Sequence, residues 1–288
     1  MSPDFTPPAN KSQGKARLLL PEMIHIPEGT FLMGTGSRLV DWLADRYAWA
    51  AQWKVKGRFS REQPQHPVIL GSYAIGRYPI TVGDYRQFIQ SGGYTDAAYW
   101  TEAGWRWLQE SARKVPKAWQ DEKWTSLGKL PVVGVCWHEA CAYCHWLASL
   151  TGVPYRLPSE AEWEKAAGGA DGRPYPWGQE FDPLRCNTRA GNQGHTTPVG
   201  EYSPAGDSPY GCVDMIGNVS EWTLSLFKPY PYQRDDGRED HNAAGVRATR
   251  GGSWFSPDFR ARLQARGMSS PEFSDEDLGF RCAYTISI

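Results

Sequence analysis

Arg250-Gly251-Gly252-Ser253-Trp254, and then Leu278-Gly279-Phe280-Arg281-Cys282-Ala283, bracket the stretch on which the reading of this chain turns. Between them residues 255–277 mix aromatic, small polar and charged side chains with no clean period. Two fixed ends holding an irregular middle is how a scaffold presents a site. Gly251 and Gly252 allow close backbone approach or a positive φ. Trp254 and Phe280 supply large rings to bury on either side.

Composition narrows the function. The chain has 288 residues, 31 basic and 32 acidic, for a formal net charge of −1. That balance gives no reason to expect nucleic acid or an anionic membrane as partner. No apolar run approaches membrane-spanning length. Residues 1–17 are polar, and Leu18-Leu19-Leu20 is too short for the apolar core of a secretory signal. The expectation is a cytoplasmic protein with six reduced thiols: Cys136, Cys141, Cys144, Cys186, Cys212 and Cys282.

Working outward, residues 1–20 read as a flexible tail or linker, and 21–288 as a single domain. Two insertions are expected, near 37–62 and 94–128. In the first, Leu39, Val40, Trp42, Leu43, Tyr47, Trp49, Ala50 and Trp53 roughly fit helical spacing. It reads either as a helix packed on the domain or as a partner-docking helix. The second is rich in Trp and Tyr and reads either as a satellite core under a long loop or as a wall of the binding surface. Thr81 caps a helix reaching Gln90, stopped by Gly92-Gly93. Pro131 to Val135 reads as a short buried strand. A helix follows from His138 to Leu150, ended by Gly152. Ser159 and Glu162 form a capping box for the next helix. From Gly168 to Asp214 the chain is turns. This order predicts an α+β fold, loop-rich, with short antiparallel strands and two or more helices.

Cys141-Ala142-Tyr143-Cys144 has metal-site spacing, but no second pair completes a tetrahedral set. It also lies mid-helix, away from a helix N-terminus that would stabilise a thiolate. Core cysteines are the expectation, with metal and redox roles the other readings.

Seven pieces in order carry a resemblance. They are residues 23–34; Tyr78-Pro79-Ile80-Thr81; residues 131–135; Arg156-Leu157-Pro158-Ser159-Glu160-Ala161-Glu162-Trp163-Glu164; Pro176-Trp177-Gly178; Gly217-Asn218-Val219-Ser220-Glu221-Trp222; and the two brackets. On these the chain resembles the formylglycine-generating-enzyme, or sulfatase-modifying-factor, family, a variant of the C-type lectin-like fold. The resemblance implies a copper-oxygen catalyst that converts a substrate cysteine to formylglycine with two thiolates. Aligned from Gly251, those thiolate places fall at Ser256 and Ala261, and no cysteine lies between Cys212 and Cys282. A hydroxyl and a methyl cannot replace two soft ligands for Cu(I), so no copper is expected. Iron-dependent relatives carry a histidine set on a separate N-terminal domain, whereas residues 1–60 hold only His25.

The layout is similar to that of variable proteins of diversity-generating retroelements, which diversify a C-terminal segment to bind partners. That implies a non-catalytic display scaffold for a protein or other macromolecular ligand, with an oxidase acting on a substrate cysteine as the alternative. The implied ligand-binding residues are Trp254, Phe255, Ser256, Asp258, Phe259, Arg260, Leu263, Gln264, Gly267, Met268, Ser269, Ser270, Glu272 and Phe273. Their chemistry suits a binding face; ordinary surface loop residues are the other reading. The family also binds a structural Ca2+. The resemblance places it at Asp214, Gly217, Val219 and Glu221, where carboxylates and loop carbonyls offer hard oxygens; otherwise Glu221 accepts backbone hydrogen bonds while Trp222 fills the core.

Overall fold

The structure is a computed structural model describing residues 19–286. Apart from Leu19 and Leu20, the expected tail at 1–20 lies outside the described residues. β1 (Met23–Ile26) and β2 (Gly29–Met33) send Ile26, Phe31 and Met33 inward. The first insertion folds as α1 (Ser37–Arg46), α2 (Ala48–Val55) and a 3-10 turn at Arg58–Glu62. The two helices break at Tyr47, which is extended at φ −124° and ψ 120°. β3 (His66–Leu70) pairs with β2, and β4 (Tyr73–Gly76) with β1.

The local helix signals act as the sequence predicts. Before α3 (Val82–Gln90), Thr81 Oγ1 accepts from the Asp84 N–H while the Asp84 carboxylate accepts from the Thr81 N–H. The aromatic stretch holds α4 (Glu102–Ser111) and α5 (Glu122–Thr125). Trp100 and Trp124 are buried there, and Tyr99, Trp105, Trp107 and Trp119 pack half-buried against the main core. α6 (Trp137–Thr151) runs through that core and stops at Gly152, whose φ is +72°. Ser159 and Glu162 close the capping box of α7 (Glu160–Gly168).

One expectation fails. Residues 131–135 are buried, but form no strand. They make a single bridge, Thr81 to Pro131, before Gly134 turns the chain at φ +73°. Their backbone bonds go to loop segments instead, Val132 N–H to the Ile80 carbonyl and Gly134 N–H to the Asp275 carbonyl, both at 2.9 Å.

After the turns of 169–214 come β5 (Ser220–Leu226), β6 (Arg247–Arg250), β7 (Gly267–Ser269), β8 (Leu278–Gly279) and β9 (Ala283–Thr285). β9 joins β4 and β1 in one small sheet. A second sheet runs β7-β6-β5-β8, antiparallel except for the parallel β5–β8 pair. In it Glu221 stands opposite Arg250 on one side and Gly279 on the other. Both brackets of residues 255–277 are therefore hung on one strand. Among the described residues no helix is long and apolar enough to cross a membrane.

Gly217 is where this arrangement is least tolerant. Its φ is +78°, and a Cβ there would stand 2.2 Å from the Asn187 carbonyl oxygen. At Gly57 the φ is +63°, with no neighbour within 4 Å. Gly57→Ala is expected to cost about 1 kcal/mol, from backbone strain alone. Gly217→Ala adds a backbone clash and is expected to cost several-fold more; urea unfolding of the two variants compares them.

Candidate functional site

Three arginines of residues 250–266 point inward, and buried carboxylates hold them. Arg250 pairs with Glu160 at 3.0 Å and with Glu164, and also donates to the Leu263 carbonyl. Arg266 reaches Glu160 at 2.6 and 2.7 Å. Arg262 forks onto Glu62 at 2.9 Å through both nitrogens. Burial alone would push the Glu160 carboxyl up, but Arg266 and Arg250 outweigh it and hold it below its ordinary value. Glu164 has one arginine, Arg250, and the Gly34 N–H at 2.7 Å, and there burial wins and raises the carboxyl.

This clamp fixes the places that the resemblance assigns to copper thiolates. Ser256 is nearly buried, and its Oγ accepts from the Ser253 N–H at 3.0 Å. Ser253 Oγ in turn donates to Asp277 at 2.6 Å. Ala261 is fully buried. The six cysteines are buried elsewhere and unbridged. Cys144 and Cys282 lie side by side, Sγ to Sγ 3.6 Å, but both are in the main core and neither opens onto a cleft. Burial pushes the thiols of Cys136, Cys141 and Cys144 well up, that of Cys186 up to about 12 and that of Cys212 up to about 11. Burial thus disfavours the thiolate form at these five positions.

The expected binding residues do not share one face. Leu263 and Gln264 are each 1% exposed. Leu263 sits in the second core cluster, and the Gln264 amide donates to the carbonyls of Gly172 and Arg173. With Ser256 they belong to the frame rather than to the surface, because residues 261–265 are drawn in by Arg250 and Arg262. The others divide. Trp254 lies over Trp124 with ring centroids 5.7 Å apart, and the exposed Phe255 edges against it. Phe259 packs on Trp53 and Trp49 of α2, at 5.1 and 5.9 Å. Ser270 and Glu272 line a separate cavity of about 540 Å³ with Trp107, Trp137, His138 and His241. Met268 and Phe273 are exposed, Asp258, Gly267 and Ser269 are partly so, and none of these five lines that cavity.

A contribution not foreseen comes from the first insertion. Trp53, Lys56, Gly57, Arg58 and Arg61 wall a cleft of about 500 Å³ whose other side is Arg260, Ala265 and Arg266. A smaller pocket of about 90 Å³ adjoins it through the same three residues and reaches Ser256 and Asp277. The signal was the basic run Lys54, Lys56, Arg58, Arg61, which on a helix end reads as a solvated face.

The calcium set fits only in part. Glu221, expected as a calcium carboxylate, is the counter-ion of Arg281, which donates to both its oxygens at 2.6 and 2.7 Å; Trp163 Nε1 adds a third bond at 2.9 Å. One lone pair remains there. Gly217 and Val219 offer carbonyls, and Asp214 accepts from the Gly200 N–H at 2.9 Å. That falls short of the six to eight oxygens calcium takes. Among the described residues no three His, Cys, Asp or Glu side chains gather at one point.

The fold is that of the C-type lectin-like proteins of the formylglycine-generating type. The chain belongs to the sulfatase-modifying factor enzyme 1-like domain family, whose model matches residues 8–286. It is 33% identical to the inactive C-alpha-formylglycine-generating enzyme 2 of Mus musculus, over 91% of this chain and 85% of that protein. It is also 33% identical to the hercynine oxygenase of Mycolicibacterium smegmatis, over 91% of this chain but only 60% of the relative's length. The solved structure of Treponema denticola variable protein 1 superposes with a TM-score of 0.62 at 22% identity, covering 92% of this chain and 95% of that one.

Asp214 supplies a test of the calcium expectation. Burial pushes its carboxyl from 3.8 up to about 6. The folded state then keeps this proton longer than the unfolded chain does, so stability falls as pH rises from about 4 to about 6 and stays lower above it. Asp214→Asn keeps the acceptor for Gly200 and removes the charge. In metal-free buffer it is expected to stabilise the protein at pH 7 by up to about 3 kcal/mol, and much less at pH 4, in urea unfolding. Loss of stability at pH 7, together with a calcium-dependent melting temperature of the parent, contradicts this and restores the calcium reading.

Proposed function

We propose that the chain is a non-catalytic, ligand-binding member of its family: a display scaffold that presents the exposed parts of residues 254–273 and the adjoining cleft to a protein or other macromolecular partner. The observation that carries the reading is the exchange of two thiol positions for Ser256 and Ala261 in a frame otherwise kept, with every cysteine buried elsewhere. The name of the mouse relative, an inactive enzyme, supports it. Residues open to a partner are Phe255, Arg260, Met268, Ser270, Glu272 and Phe273, with Trp254, Asp258, Phe259, Gly267 and Ser269 at their margins. A diversified segment of the retroelement type, and a cytoplasmic setting for the free thiols, belong to the same proposal. Nothing in the charge balance calls for nucleic acid.

Two assays on the purified protein test it. A cysteine-containing sulfatase peptide incubated with Cu(I) and oxygen is expected to keep its mass; a mass loss equivalent to aldehyde formation contradicts the reading. Alanine at Phe255 and Arg260, both exposed, is expected to abolish capture of the partner retained by the parent, with the melting temperature unchanged. Capture equal to the parent's moves the site elsewhere.

A further inference from the structure

The cleft beside Arg260 carries charge of one sign. Lys56, Arg58, Arg61 and Arg260 are exposed, and among the described residues none of them enters an ion pair. The one carboxylate lining it, Glu62, is buried and spent: both its oxygens accept from Arg262, and one also from Thr35 Oγ1. Arg266 is balanced by Glu160. The adjoining pocket adds Asp277, which is held by Ser253. Four cations that enter no ion pair thus face one concave space, with Asp277 near enough to Arg260 to feel its charge, in a chain whose net charge is −1.

Concavity makes this charge effective, since low-dielectric walls focus the field into the cleft. Three of the four cations are guanidinium groups, whose planar fork matches oxyanions two bonds at a time. They come from two elements that pack firmly. Phe259 on Trp53 and Trp49, and Arg262 on Glu62, tie residues 258–266 to α2 and its following turn. The two sides of the cleft are therefore held at a fixed span before any ligand arrives, which lowers the ordering cost of binding. At about 500 Å³, with about 90 Å³ adjoining, the space is of small-ligand size rather than an extended groove.

We infer that this cleft binds a compact polyanion, a cluster of two or more carboxylate or phosphate groups displayed by the partner. The inference rests on the binding reading above and names the chemistry of its ligand.

Calorimetric titration with two probes, citrate for carboxylates and inorganic pyrophosphate for phosphates, tests it and tells the two oxyanions apart. At least one is expected to bind, with an affinity that falls as NaCl is raised. Arg58→Gln, Arg61→Gln and Arg260→Gln are each expected to weaken it about fivefold, and the triple variant to abolish it. Arg106, an exposed arginine that lines the other cavity and pairs with Glu102, serves as the control: Arg106→Gln is expected to change nothing. All four side chains are exposed, so the variants keep the fold, as their melting temperatures check. Binding of neither probe, a triple variant that binds like the parent, or an equal loss in Arg106→Gln each overturns the inference. Such a failure leaves the binding reading standing if alanine at Phe255 still costs the partner, whereas aldehyde formation removes that reading itself.

Discussion

Glu221 holds both ends of the C-terminal stretch at once. Its backbone stands between Arg250 and Gly279 in the sheet, and its carboxylate takes the Arg281 fork and the Trp163 indole. Arg250 in turn reaches back to Glu160 and Glu164 on α7, on either side of that same Trp163 in sequence. The pieces at residues 156–164 and 217–222 and the two brackets are thus halves of buried ion pairs. Such pairs add little net stability, because desolvation offsets much of the Coulomb attraction. Removing one partner, however, leaves an unpaired buried charge and costs about 3–5 kcal/mol.

That constraint separates frame from surface. Residues 261–265 are pulled inward by Arg250 and Arg262, while 255, 260 and 268–273 remain outside. The Ser253 and Ser256 hydroxyls and the Asp277 carboxylate satisfy the loop after Gly252 by hydrogen bonds. The frame is thus held with a serine at position 256 and an alanine at position 261.

What the sequence disclosed follows from range. Caps at Thr81, Ser159 and Gly152 were legible because their partners lie within one helical turn. The ion pairs were not, because Arg250 and Glu164 are 86 residues apart, and a buried arginine reads like a solvated one. For the same reason Leu263 and Gln264 were expected on the binding face. Pro131–Val135 was read as a strand from its apolar run, which cannot by itself tell a buried strand from a buried turn. The cleft escaped notice because its two sides, near residues 58 and 260, meet only in the fold.

The dependence on Glu221 can be measured by a double-mutant cycle with Arg281, read by urea unfolding. Glu221→Gln and Arg281→Met are each expected to cost about 3–5 kcal/mol, and the double variant less than their sum by about 2 kcal/mol or more. Single costs that add to within about 0.5 kcal/mol would mean that the two side chains act independently, and that the C-terminal anchors are held by something other than this pair.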